Sequence, residues 1–175
     1  VVTATAVAAV GAAGMGARLG IAVELPAFLG LVLFGIALAI ADIRSRRLPD
    51  VMVAALTLSG LALLGVTAII HHDVSSLLRA IFAAGVTSGA LLVLALLWPS
   101  ELGFGDVKFG GVLAFYLGWL GWPQVILGVA TGFLVAAVVA VGLLLTGRRT
   151  LRDDLPLGPF LMLGAWITIV SRWPS

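Results

Sequence analysis

From Val51 to Ile70 the chain reads VMVAALTLSGLALLGVTAII, without one charged side chain. An apolar helix of about twenty residues is long enough to cross the hydrocarbon of a bilayer, and lipid offers unpaired backbone groups no partner. The same texture recurs throughout: the 175 residues are 62% hydrophobic and 10% charged, with a mean hydropathy of +1.23. Soluble domains carry about 25% charged residues, so a water-solvated shell around one core is excluded. Strands of a membrane barrel would alternate apolar and polar residues, and LVLFGIALAIA does not. The expected fold class is all-α. It is a polytopic helical membrane protein of six to seven transmembrane helices, forming a single transmembrane domain over 1–175.

Seven apolar stretches are predicted as spans, at roughly 1–17, 25–41, 51–70, 78–98, 107–121, 123–146 and 157–171. The first is the weakest, being rich in Ala and Gly, and the fifth and seventh are short enough to tilt, stop below the surface or re-enter. No basic residue precedes the first stretch, so a cleaved signal peptide is not expected. Basic residues set the orientation. The loops at 42–50, 99–106 and 147–156, with their flanks, hold Arg44, Arg46, Arg47, Lys108, Arg148, Arg149 and Arg152, against Arg18, Arg79 and Arg172 on the other face. That bias predicts that those three loops are cytoplasmic, with or without the first span.

The formal charge of +2 sits in short interhelical loops, where it reads as a topology signal, and no nucleic-acid partner is expected. The chain has no cysteine, which excludes disulfides and thiolate-bound zinc. Two glycine pairs, Gly85–Gly89 and Gly128–Gly132, have the small-xxx-small spacing that lets membrane helices approach closely. The tryptophans at 98, 119, 122, 166 and 173 fit an interfacial belt, and Tyr116 reads as helix packing.

Against this background two polar islands stand out: ADIRSRRLPD, from Ala41 to Asp50, and SELGFGDVKFG, from Ser100 to Gly110. Asp42 follows an apolar run directly. Ionisable residues at such places are candidates for function, though an interfacial pair with Arg46 one turn on is also open. Asp106 follows GFG, where glycine tolerates unusual dihedrals and close backbone approach; a helix N-cap is its structural alternative. The spacing is not that of a phosphate-binding loop. Together the two aspartates mean more than either alone. Two carboxylates on different helices, at one depth and on one side, are what acid–base hydrolysis of a peptide bond needs. Repulsion between them would keep one proton on the pair near neutrality.

These motifs resemble those of the type IV prepilin peptidases, the GxGD class of intramembrane aspartic proteases. ADIRSRRLPD and GFGDVKFGGVLAFYLGW look like the family's two aspartate motifs, and LPLGPFLMLGAW, from Leu155 to Trp166, resembles its PFGP segment. The likeness runs in order from about residue 35 to the end. It implies Asp42 and Asp106 as the catalytic pair, with Gly103, Gly105 and Lys108 completing GxGDxK. It further implies that Leu48, Pro49 and Asp50 match the LP[ND] segment and that Gly158 and Pro159 help shape the site. The implied reaction is removal of the leader of prepilin-like or pseudopilin-like substrate proteins at the cytoplasmic face of the inner membrane, with membrane lipid around it and no metal or cofactor. Longer family members add a cysteine-containing cytoplasmic region associated with zinc and N-methylation. Without it, peptidase activity alone is expected, and no methyl transfer. Helix dipoles suggest Asp106, before a helix, as the resting base, and Asp42, closing one, as the resting acid.

Other polar residues compete. His71, His72 and Asp73 read as a solvated loop, with metal binding as the alternative. Glu24 and Glu101 sit at expected interfaces, and Asp153 and Asp154 lie beside arginines. A small proton-coupled transporter using Asp42 and Asp106 as relay carboxylates is the alternative function, although transporter sites sit nearer the midplane. A catalytically silent scaffold would tolerate Asp→Asn at either position.

Overall fold

The computed structural model describes residues 23–45, 49–97, 102–146 and 157–172. Among them are six helices and no strand: α1 (Leu25–Ser45), α2 (Asp50–Ile70), α3 (Val74–Leu97), α4 (Phe104–Leu120), α5 (Trp122–Leu145) and α6 (Gly158–Arg172). Four of them, α1, α2, α3 and α5, are long and apolar enough to cross a membrane. The chain is thus a multi-pass helical membrane protein, as its apolar runs predict. The stretch 1–17 lies outside the described residues.

Helix α4 is the centre. It packs closest against α3 and also touches α2, α5 and α6, while α1 leans on α2 and α6. Every residue from Phe109 to Trp119 is buried. A helix apolar on all sides must be enclosed by others, and this one is. Tyr116 lies at the middle, edge-on to Phe28 and Phe115, and its hydroxyl donates to Leu56 O at 3.1 Å. The outer helices turn Leu33, Leu58, Val66 and Phe82 outward, which suits a lipid surround.

Glycine decides how closely the helices meet. On α4, an added Cβ at Gly110 would meet Leu91, at Gly111 Ser88, and at Gly118 Ala83, all on α3. Gly128 and Gly132 of α5 face α6, as their spacing predicts, with Leu161 Cα 2.9 Å from a Cβ built on Gly132. The return contact is tighter, because a Cβ at Gly164 would run into the backbone of Gly128 and Gly132. Backbone cannot swing aside as a side chain can. Gly164→Ala is therefore expected to cost about 1–3 kcal/mol, read as a lower Tm. The other pair departs from expectation: Gly85 and Gly89 have nothing within 4 Å and face outward, because α3 meets α4 through Ala80, Ala83 and Leu91 instead.

The helix ends also depart from the sequence reading. Helix α3 begins at Val74 rather than near 78, because Asp73 caps it. Ser76 N–H donates to Asp73 Oδ1 at 3.1 Å, and the Ser75 and Ser76 hydroxyls donate to the same carboxylate. These bonds, that of the Ser76 hydroxyl first, hold the Asp73 carboxyl below the usual carboxylate range. Asp73 therefore belongs to a cap. His71 ends α2 and His72 takes a left-handed φ of 55°. Among the described residues no group of three potential metal ligands forms. Trp119 is buried and Trp166 packs on the core, so of the described tryptophans only Trp122 keeps the exposure expected of a belt.

At about 25 Å, α4 is shorter than the hydrocarbon it stands in, so its last carbonyls need partners. Arg79 supplies them. Its Nε donates to Gly118 O at 2.7 Å and one Nη to Trp119 O at 2.7 Å, while the same Nη reaches Ser76 Oγ at 2.9 Å. This places a positive charge at the negative end of the helix. A basic residue counted only for topology thus holds the central helix. Arg79→Ala is expected to cost about 2 kcal/mol by stripping two carbonyls of their donors, and Arg79→Lys, which lacks the fork, should recover only part of the lost Tm.

Candidate active site

Alternating helix directions bring the end of α1 and the starts of α2, α4 and α6 to one side of the bundle. Asp42 lies one turn before the end of α1 and is 6% exposed. The helix runs on to Ser45, so Asp42 does not close it as expected. Asp106 sits in the first turn of α4. It is not the N-cap: that is Gly103, whose carbonyl accepts from Asp106 N–H at 3.0 Å. The Asp106 carboxylate reaches back towards the Gly103 amide, the acidic half of a capping box.

Gly158 joins the two. It opens α6, after a turn in which Phe160 and Leu161 N–H both bond Leu157 O at 3.0 Å. Pro159 follows, in a first turn where the missing N–H costs nothing. The Gly158 N–H is directed at both carboxylates. A Cβ built on Gly158 would stand 2.8 Å from Asp42 Oδ2 and 3.7 Å from Asp106 Oδ1. Those same two oxygens are buried with no hydrogen-bond partner among the described residues. Buried polar atoms are almost always satisfied. Two orphan oxygens from two helices, converging beside a third helix's N-terminus, mark a place built to hold protons or a polar reactant.

The remaining motif residues fall into three groups. Gly103 has φ −78° and ψ 150°, a conformation open to any residue, so it does not use the unusual dihedral that glycine allows. Its Cβ position lies 3.5 Å from Asp106 Oδ2, an ordinary contact. Gly105 lies in the first turn of α4, and Pro49 is the N-cap of α2. Lys108 Nζ meets Asp50 Oδ1 at 2.7 Å, which ties the two aspartate motifs together through residues that neither motif alone connects. Leu48 lies outside the described residues, as do Arg46, Glu101, Asp153 and Asp154, so the proposed Asp42–Arg46 pair does too. What sequence reasoning missed is the Asp50–Lys108 contact and the Arg79 cap. A lone arginine inside an apolar span was the available signal for the second.

Comparison with known proteins identifies the family. A family model described as the type IV leader peptidase family matches residues 29–146. A prepilin leader peptidase/N-methyltransferase of Burkholderia pseudomallei (strain 1026b) is 33% identical over 159 residues, covering 85% of this chain and 47% of the relative. A protein of the same description from Aeromonas salmonicida (strain A449) is 31% identical over 101 residues, covering 51% of this chain and 34% of its own. The leader peptidase HopD of Escherichia coli is 41% identical over 66 residues, covering 38% and 41%. The chain thus spans about half the length, or less, of the curated relatives it matches. No solved structure matches. With its matched segment running through both aspartate-bearing helices, the chain belongs to the type IV leader peptidase family.

Proposed function

We propose that the chain is a membrane-embedded aspartic endopeptidase. It removes the leader of type IV prepilin-like or pseudopilin-like proteins at the cytoplasmic face of the inner membrane. The observation that carries this reading is the convergence of the unpartnered Asp42 and Asp106 oxygens on Gly158, in a chain of this family. The cytoplasmic side is supported by the bias of basic residues, seven against three. Two relatives' names also include N-methyltransferase, and the reading proposed is of leader cleavage alone.

The chemistry is general acid–base hydrolysis. Two close carboxylates share one proton. The ionised one takes a proton from a water, whose oxygen attacks the scissile carbonyl carbon; the protonated one donates to the carbonyl oxygen. Collapse of the tetrahedral intermediate breaks the C–N bond, and the leaving amine takes the proton drawn from water. Two amide N–H groups, of Gly103 and Gly158, face Asp106, and one faces Asp42. Asp106 stands in the first turn of α4, where the positive end of the helix favours a carboxylate, so Asp106 is proposed as the base and Asp42 as the acid. Gly158 N–H holds the pair in register from the α6 N-terminus.

The test is incubation of the detergent-purified chain with a prepilin-like substrate and mass analysis of the product. A single cut between basic leader and apolar segment is expected. An intact substrate, with the protein folded and across several prepilin-like sequences, would count against the proposal.

A further inference from the structure

A second built feature stands at the same end of the bundle. A groove of about 610 Å³ opens between α2 and α3 over the flank of α4. Val53 and Leu58 form one wall, Ala84 the other, and Val112 and Phe115 the floor. Asp50 and Lys108 stand at its rim. On α4 the lining residues Lys108, Gly111, Val112 and Phe115 share one helical face. Asp106 is two residues from Lys108, so it points to the other side.

The rim pair is 2.7 Å apart, yet Lys108 is 53% and Asp50 75% exposed. So open a pair adds at most about 1 kcal/mol to folding, and the fold does not depend on it. Lys108 spends one of three N–H donors on Asp50 Oδ1, and neither side chain makes another hydrogen bond among the described residues. Asp50 begins a 21-residue apolar helix, which puts the pair where hydrocarbon gives way to head groups.

We propose that this groove binds an aminophospholipid, with an acyl chain along the apolar walls and the zwitterionic head group over the ion pair. The phosphate takes the free donors of Lys108, and the primary ammonium donates to the free Asp50 oxygen. Both charges are needed for this match. An anionic lipid would satisfy Lys108 but face Asp50 unpaired, and a choline head group has no N–H to give. A substrate's apolar segment is the competing occupant, but α4 separates the groove from the two catalytic carboxylates.

The test is native mass spectrometry of the detergent-purified full chain. It would be offered equal amounts of phosphatidylethanolamine, phosphatidylcholine and phosphatidylglycerol with identical acyl chains. About tenfold preferential retention of phosphatidylethanolamine is expected, the size of a charge-assisted hydrogen bond. Asp50→Asn should bring its ratio to phosphatidylcholine towards one. Ala54→Trp should abolish retention of all three by filling the groove, leaving the ion pair intact; Ala54 lines the groove and is exposed, so this variant tests the idea even if a charge variant misfolds. Equal retention by the wild type, or an unchanged preference in both variants, would overturn the proposal. So would an Ala54→Trp protein that keeps its lipid but shows a raised KM for prepilin, since the groove would then belong to the substrate.

Discussion

Asp42→Asn and Asp106→Asn are each expected to lower leader cleavage by about 10³-fold or more. General acid–base catalysis by a placed side chain is worth about 10²–10⁴, and in the proposed mechanism each carboxylate serves twice, once as donor and once as acceptor, so neither amide could complete a turnover. The loss should be as large in the double variant as in the singles, because groups that act as one unit are not additive. Stability should move the other way. Asp42 Oδ2 and Asp106 Oδ1 are buried without partners, and exchanging either carboxylate for an amide relieves the repulsion that makes the pair share one proton. The Tm of each variant should equal or exceed that of the wild type, as at other strained active sites. Product analysis and a melting curve on the same preparations check both halves. Retained cleavage in either variant would remove that aspartate from the mechanism, and a collapsed Tm in both would make the pair a structural feature.

Gly158→Ala is expected to reduce kcat/KM by about 10²-fold while changing Tm little. The new methyl would stand 2.8 Å from Asp42 Oδ2, nearer than such contacts occur. The fold can relieve this cheaply, because the obstructing atom is the far end of a side chain. What yields is one of the two carboxylates proposed to react, and a shift of about 1 Å at a catalytic group costs about 10²-fold. Gly164→Ala, on the same helix two turns on, makes the informative contrast, since there the obstructing atoms are backbone of Gly128 and Gly132. One alanine should cost activity and the other stability. An enzyme with Gly158→Ala and full activity would show that α6 does not set the position of Asp42.

Much of this was legible along the chain. Apolar runs longer than about eighteen residues admit few structures other than membrane helices, so the spans over α1, α2 and α5 were recovered closely. Asp42 and Asp106 stood out as well, since charged residues at the ends of such runs are conspicuous, whereas Gly158 was marked only by the resemblance of its segment to the family's. Their neighbours were harder to read. Asp106 is equally plausible in sequence as an N-cap, and only the Gly103 carbonyl, which accepts from Asp106 N–H, places it inside the helix. The start of α3 was misjudged because its cap lies in three short side-chain bonds to Asp73, which hydropathy does not weigh. Gly85–Gly89 and Gly128–Gly132 have the same spacing, yet only the second packs. Spacing says which face is smooth, and the neighbours present on that face decide whether it is used.

By itself, then, the sequence determined the order of the long apolar helices among the described residues, and through their alternation the side on which Asp42, Asp106 and Gly158 all emerge. Those are one-dimensional properties, set by run length and by where the charges fall. Tertiary structure alone decided the contacts between segments far apart in the chain: Gly158 against both carboxylates, Lys108 on Asp50 across 58 residues, and Arg79 on the carbonyls that end α4. Each depends on how deep a short central helix sits and how it is rotated among its neighbours. Depth and rotation follow from side-chain packing, which no periodicity along a nearly uniform apolar chain records.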